Sequence, residues 1–259
     1  MILIAGPCVI EDKLSIEDIA LSIIDNIDNK NIDFYLKSSC IKDNRTLIDS
    51  YSGVGFNEGL KILLYLKNKY KIKITTDFHN IEQIKKYGKY VDIIQIPAFL
   101  AKQTSLLREA VKCNKPIHIK KPQFIGPAET KNIVNNVKKI GHKKDLIITD
   151  RGTMLGYNQT FMDPRHVPII KSNDVKMLVD ITHPNKNYPM NEDKVKHTET
   201  LAMSYIASGA DGFFIETHNN CKDALCDSET MYPLSNLGSL IEKSYELYTF
   251  INNKQSKVL

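Results

Sequence analysis

Hydrophobic positions along the chain fall into short continuous runs separated by stretches of helical spacing. Eight runs stand out, at 2–7, 33–38, 72–76, 91–97, 116–121, 145–149, 175–181 and 212–216. Many of their residues are β-branched, and continuous apolar runs of this length suit strands buried on both faces of a parallel sheet. Amphipathic segments lie between them. Ser15-Ile16-Glu17-Asp18 reads as an N-cap with an acidic first turn. Gly59 to Tyr70 places Leu60, Leu63, Leu64 and Lys67 at helical spacing. Ser105–Lys112, Ala128–Ile140, Thr198–Ser208 and Leu234–Tyr248 continue the pattern. Eight strand–helix repeats in a chain of 259 residues predict a (β/α)8 TIM barrel spanning 1–259 as one catalytic domain. The alternative is an open doubly wound sheet, whose first turn is normally a glycine-rich phosphate cradle. Here that turn is Gly6-Pro7-Cys8, a poor cradle. The polar segment 184–197 after the seventh strand is a candidate lid.

Composition narrows the class. The chain is 42% hydrophobic and 25% charged, with no apolar stretch long enough to span a bilayer and no basic leader with a cleavage site, so no membrane partner is expected. Five scattered cysteines, Cys8, Cys40, Cys113, Cys221 and Cys226, indicate a reducing, cytoplasmic setting rather than a disulfide framework. The net charge of +5 comes from lysines spread along the chain, which is a solvated surface rather than a nucleic-acid footprint.

Chemistry concentrates at the strand ends, where barrel enzymes keep their active sites. The eight ends carry Cys8; Lys37 with Ser38 and Ser39; Asp77 and His79; Gln95; Lys120 and Lys121; Asp150 and Arg151; His183; and Glu216, with Asp227 in the following loop. Thiolate, imidazole and carboxylate together form the ligand set of a borderline-soft divalent metal. Cys8, His183, Glu216 and Asp227 are therefore the candidate ligands, for zinc, iron(II) or manganese. The cations Lys37, Lys42, Arg45, Lys121 and Arg151 point to anionic, phosphorylated substrates. Lys121 and Arg151 on neighbouring strands can share one phosphate, and Arg45 with the Thr46 hydroxyl can hold a second. Strand alternation turns His118 and Lys120 away from the barrel interior. Asp77, His79 and Gln95 line the site, and His218, two residues past Glu216, is turned inward by strand alternation, for either a direct role or a supporting hydrogen bond. His142, His166 and His197 are read as surface residues, Cys221 and Cys226 as loop thiols, Cys40 and Cys113 as packing residues.

The segments LIAGPCVIED (3–12), LKSSCIKDNRT (36–46), SYSGVGFNEGLKIL (50–63), TDFH (76–79), DIIQIPAFLAKQTSLL (92–107), KKPQFIGPAETKN (120–132), TDRGTMLGYN (149–158), DITH (180–183) and ETHNNCKDALCDS (216–228) occur in order along nearly the whole chain. In them the chain resembles the 3-deoxy-D-manno-octulosonate-8-phosphate synthases. That resemblance implies a TIM barrel that condenses phosphoenolpyruvate with D-arabinose 5-phosphate, in a tetramer that serves lipopolysaccharide inner-core synthesis. It implies that Lys121 and Arg151 hold the phosphoenolpyruvate phosphate, that Lys42 holds its carboxylate, and that Asn44, Arg45 and Thr46 hold the sugar phosphate. Lys42, Asn44, Asp77, Lys121 and His183 are then the catalytic set, with Lys37 and Gln95 as further substrate contacts. Cysteine at position 8 marks the metal-dependent type, where the metal-independent type has asparagine. Lys102 stands where an arginine usually reaches the sugar phosphate from a neighbouring subunit. Alternatives by residue chemistry are a related synthase using erythrose 4-phosphate, an aldolase with a metal or a Lys121 imine, and a non-catalytic sugar-phosphate binder.

Overall fold

The computed structural model describes residues 1–45, 47–157, 159–187 and 193–255. Eleven strands and eight α-helices occur among the described residues. The strands are β1 (Ile2–Gly6), β2 (Asp33–Lys37), β3 (Lys73–Asp77), β4 (Ile93–Ile96), β5 (Ile117–Lys120), β6 (Leu146–Asp150), β7 (Thr153–Leu155), β8 (Gln159–Phe161), β9 (Lys176–Asp180), β10 (Gly212–His218) and β11 (Tyr232–Pro233). The helices are α1 (Lys13–Ile27), α2 (Phe56–Tyr70), α3 (Ile81–Tyr87), α4 (Thr104–Lys112), α5 (Thr130–Ile140), α6 (His166–Lys171), α7 (Lys194–Ala207) and α8 (Leu234–Gln255).

Strands β1 to β6, β9 and β10 pair in parallel in that order, and β10 returns to β1. The sheet is thus a closed eight-stranded barrel ringed by helices, as expected from the eight apolar runs. Closure removes sheet edges and leaves each strand two apolar surfaces to satisfy. Ile4, Tyr35, Ile93, Ile147, Leu178 and Phe214 fill the barrel interior. The opposite faces, including Leu3, Leu36, Ile117, Ile119 and Phe213, pack against the helices. Helix α1 shows the matching stripe, burying Ile16, Ile19, Ala20 and Ile23.

Several boundaries shift for local reasons. Helix α1 starts three residues before expected, because its N-cap is Asp12 rather than Ser15 and accepts from the amides of Leu14 and Ser15. Two short helices were not expected. Helix α3 is capped by Asn80, which accepts from Gln83. Helix α6 contains Pro168, which reads as a breaker but sits in the first turn, where no backbone donor is lost. The antiparallel β7–β8 hairpin is an excursion from the end of β6. Of the expected lid, residues 188–192 lie outside the described residues; before them runs a short 3-10 turn, His183–Asn187, and after them Asp193 caps α7.

The barrel seam depends on Gly212. Its φ is 152°, and a β-carbon there would lie 1.8 Å from the carbonyl oxygen of Ile2, the first residue of the partner strand. No rotamer relieves a clash with backbone. Gly212→Ala is expected to cost about 3 kcal/mol, lowering the thermal midpoint by roughly 6–12 °C. Differential scanning calorimetry of the variant checks this.

Candidate active site

The C-terminal ends of the strands surround a cleft of about 130 Å³ lined by Lys37, Lys42, Asn44, Arg45, Asp77, Gln95, Lys120, Arg151, His183 and Asp227, with Pro97, Ala98, Phe99 and Lys186. A larger cavity of about 700 Å³ sits at the opposite end, between the beginnings of β6 and β9, and is rimmed by lysines of which Lys138 and Lys171 are already paired with Asp174 and Asp211. The chemistry therefore belongs to the smaller cleft. Among the residues lining it, Asp77 Oδ1, Gln95 Oε1, Arg45 Nε, Arg151 Nε and His183 Nδ1 are buried with no hydrogen-bond partner among the described residues, as are both ring nitrogens of His79 and Glu216 Oε2. Unpaired buried groups are costly in a folded protein, and a ligand that satisfies them is the usual reason they persist.

One wall of the cleft is a metal-ligating corner. Ligand atoms of Cys8, Cys226 and Asp227 lie within 4.8 Å of one another, and those of His183, Glu216 and Asp227 do the same. Asp227 belongs to both groups, so the candidate ligands form two adjacent trios that share it. Cys8 Sγ is 3.5 Å from Asp227 Oδ2, and His183 Nε2 is 3.8 Å from Glu216 Oε2. Asp227 takes a left-handed conformation, φ 49°, which Asp tolerates better than most residues. The donor set fits a divalent ion: a thiol, an imidazole and two carboxylates, one of them with a buried, unpartnered oxygen. Burial, the Cys226 contact and Glu216 raise the Cys8 pKa well above its ordinary value, so binding a cation there displaces a proton. Cys226, read as a loop thiol, is part of this corner instead. Its sulfur lies 2.9 Å from that of Cys8 and 2.7 Å from Arg45 Nη1. The signal available in sequence was its adjacency to Asp227.

Lys37 lines the cleft but spends its ammonium inward, donating to Glu216 Oε1 at 2.8 Å and to the Cys8 carbonyl at 2.9 Å. It holds two of the candidate ligands in place. Lys42 lies among acidic groups; burial disfavours its charge, but Cys8, Glu216 and Asp77 outweigh that and raise its pKa. Burial likewise raises the Asp77 carboxyl, while Lys42 and Lys37 more than offset it and bring its pKa down to about 2. His79 sits 3.4 Å from Asp77 and stacks on Phe99 at 6.2 Å. Asn44 and Arg45 reach the cleft from the loop after β2, and Thr46 lies outside the described residues. Lys102 is exposed and lines a separate small groove with Ala101, Ile125 and Glu129, outside the cleft of its own chain.

The assignment of Lys121 is corrected. Ile117 and Ile119 face the helices, so His118 and Lys120 face the barrel interior, the reverse of the expected parity. Lys120 Nζ lies 3.5 Å from the centre of the interior Phe214 ring and 3.3 Å from Asp180 Oδ2. His118 donates or accepts at Thr149 Oγ1 across 2.6 Å, and burial brings its pKa down to about 3, so the imidazole is neutral. Lys121 begins the loop and is fully buried away from the cleft. It donates to the carbonyls of Gly152 (2.7 Å), Pro122 (3.1 Å) and Ile125 (3.1 Å) and lies 3.5 Å from Asp150. Its three N–H donors are used on these carbonyls, which leaves none for a substrate phosphate, and its nitrogen is buried away from the cleft where an imine would have to form. Lys120 is the lysine that reaches the mouth beside Arg151.

Other histidines also move. His166 is buried, with Nδ1 2.9 Å from Asp150 Oδ2; Tyr205 donates to the same oxygen at 2.9 Å. His142 and His197 are half-buried, and His197 faces Asn185. His218 lies 3.5 Å from Glu11.

A closed (β/α)8 barrel whose mouth combines buried cations, carboxylates and a thiol-containing ligand set defines an enzyme for small anionic substrates. Residues 1–252 match the DAHP synthetase I family, and the chain belongs to that family. It is 38% identical to the 2-dehydro-3-deoxyphosphooctonate aldolase of Campylobacter jejuni subsp. doylei, over 97% of this chain and 99% of that one. It is 37% identical to the protein of the same name from Campylobacter jejuni subsp. jejuni serotype O:23/36, over 98% and 99%. A third of that name, from a Geobacter species, is 34% identical over 96% and 93%. No helix among the described residues is long and apolar enough to cross a membrane.

Replacing each lysine by methionine separates their roles. Lys120→Met is expected to cut phosphoenolpyruvate use roughly ten- to a hundredfold, the loss of about 1.5–3 kcal/mol for one charge-assisted contact. Lys121→Met is expected to lower the melting temperature while the folded fraction keeps a much larger share of turnover. Steady-state kinetics and thermal melts of both variants decide it. Burial, only partly opposed by Asp180 and Glu216, brings the Lys120 pKa down to about 8. The cation is present below that pH and lost above it, so kcat/KM for phosphoenolpyruvate should fall as pH rises through about 8. In Lys120→Arg, which keeps its charge, this limb should disappear from the pH profile.

Proposed function

We propose that this chain condenses phosphoenolpyruvate with D-arabinose 5-phosphate and water to give 3-deoxy-D-manno-octulosonate 8-phosphate and inorganic phosphate. This is the activity carried by the name of its relatives, and its product feeds the inner core of lipopolysaccharide. The observation that carries the reading is the single cleft in which Lys42, Arg45, Lys120 and Arg151 converge beside the Cys8, His183, Glu216 and Asp227 corner. Two mutually repelling anions must meet in one site, and four cations offset that repulsion and fix the approach.

In the reaction C3 of the enol bonds to the sugar aldehyde carbon, water adds at C2, and phosphate leaves with cleavage of its C–O bond. Lys120 and Arg151 hold the phosphate that departs. Lys42 faces the carboxylate. Asn44 and Arg45, with Thr46, receive the sugar phosphate, and the asparagine in Lys-Asp-Asn-Arg-Thr favours a five-carbon sugar over erythrose 4-phosphate. Asp77, low in pKa and ionised, and Gln95 present acceptors toward the reacting hydroxyls and water. Cys8, His183, Glu216 and Asp227 are the residues that would hold a divalent ion, zinc, iron(II) or manganese, which when bound polarises a carbonyl or acidifies a water. The whole chain acts as one catalytic unit in the cytoplasm. It works as a homotetramer in which Lys102 reaches the sugar phosphate of a neighbouring subunit. Lys102 is exposed, and the mouth loops beside it show Phe99, Phe124, Met154, Leu155 and Tyr157 to solvent, an apolar rim of the sort an interface covers.

Phosphate release is expected with phosphoenolpyruvate and arabinose 5-phosphate, and little with erythrose 4-phosphate. A chelator should abolish it, and added divalent ion should restore it. Full activity in a demonstrably metal-free preparation would contradict the assigned ligands. Cys8→Ser should weaken metal affinity, because a hydroxyl is a poor soft-metal ligand. Lys102→Ala should raise KM for the sugar phosphate and leave that for phosphoenolpyruvate nearly unchanged; an unaltered sugar KM would remove the case for a shared site.

A further inference from the structure

One buried carboxylate touches both halves of the cleft. Asp180 ends β9 and is fully buried. Its Oδ1 accepts from the backbone amides of Thr182 and His183, both at 3.1 Å, which fixes the turn that carries His183. Its Oδ2 faces three functional side chains at once. His183 Nδ1 is 2.7 Å away, Lys120 Nζ 3.3 Å and Arg151 Nε 3.9 Å. Nδ1 lies beside this oxygen without the alignment of a hydrogen bond; the adjacent carboxylate favours the proton on Nδ1, which leaves Nε2 as the lone-pair nitrogen, on the side of Glu216. The same oxygen restrains the two cations assigned to the departing phosphate. Asp180 was not singled out by sequence, where it is only the last polar residue of an apolar strand.

Building on the proposed function, we propose that Asp180 is a positioning residue that couples the metal corner to the phosphate subsite, so that phosphoenolpyruvate and the metal ion each tighten the other's binding. The physical reason is the sharing of Oδ2. With the cleft open, Lys120 and Arg151 neutralise part of the charge that Asp180 presents to His183. A substrate phosphate draws both cations toward itself. Asp180 then presents more of its charge to the imidazole, and a more electron-rich Nε2 is a stronger ligand. Reciprocity requires that the bound ion raise phosphate affinity by the same factor. Phe214 closes the space beneath, with its ring centre 3.5 Å from Lys120 Nζ and 6.1 Å from the His183 ring, so water does not screen the arrangement from below.

The test measures zinc affinity by competition with a chromophoric chelator, in the full-length wild type and in Asp180→Asn, each with and without saturating phosphoenolpyruvate. Asparagine keeps the Oδ1 acceptor for the turn and removes the charge. Wild-type zinc affinity is expected to rise at least about fivefold with phosphoenolpyruvate. Asp180→Asn is expected to bind zinc at least about tenfold more weakly, with a phosphoenolpyruvate effect below about twofold. A purely structural role would lower the melting temperature and leave both affinities of the folded protein alone. Coupling that persists in Asp180→Asn, or zinc affinity equal to wild type, overturns the proposal. Should Asp180→Asn not fold, the wild-type arm still decides, since zinc affinity unmoved by phosphoenolpyruvate overturns it as well. Calorimetric titration of wild type with phosphoenolpyruvate separates the two levels of claim. No binding overturns the functional reading, whereas binding without coupling overturns this inference alone.

Discussion

A charge inside a barrel persists only where an opposite charge lies beside it, and the mouth of this barrel is arranged around that constraint. Lys37 against Glu216 and Lys120 against Asp180 pair at 2.8 and 3.3 Å, and all four residues are buried. Removing one partner of such a pair leaves an uncompensated buried ion at a cost of about 3–5 kcal/mol. The pairs therefore hold the strand ends in one arrangement. Lys37 ties β2 to β10 and to the turn after β1, and Asp180 ties β9 to β5 and to the segment after β6. The barrel supplies position, and the ion pairs fix which side chains are left over to meet a ligand.

That division separates two kinds of lysine. Lys37 and Lys121 are consumed by the protein itself, one by a carboxylate and a carbonyl, the other by three carbonyls and Asp150. Lys42 and Lys120 keep donors directed at the cleft. Arg45 stands between the Cys226 sulfur and Asp227, at the edge of the candidate ligand corner.

Much of this was legible in the sequence. The eight apolar runs are the eight barrel strands, within a few residues, because buried parallel strands leave an unbroken hydrophobic signature. Placing polar residues at the strand ends of a closed barrel pointed to Cys8, His183 and Glu216, which fall into two trios that share Asp227. What failed was parity. In Ile117-His118-Ile119-Lys120-Lys121 both faces are buried, so alternation shows two classes of position without saying which class is inside. The register of β5 on β4 and β6 decides it, and that is a tertiary property. The same limit hid Asp180, whose importance lies in partners from β5 and from the segments following β6 and β9. Cys226 was hidden because its partners, Cys8 and Arg45, are far away in the chain.

In the proposed arrangement one cleft holds a metal ion by Cys8, His183, Glu216 and Asp227 and a phosphate by Lys120 and Arg151. A crystal structure of the protein soaked with zinc and phosphoenolpyruvate, with anomalous data at the zinc edge, tests it most directly. The account predicts one strong anomalous peak about 2.3 Å from Cys8 Sγ and about 2.0–2.1 Å from His183 Nε2, with the phosphate against Lys120 and Arg151 and Lys121 still buried on its carbonyls. An ion bound elsewhere, or a phosphate held by Lys121, would contradict it.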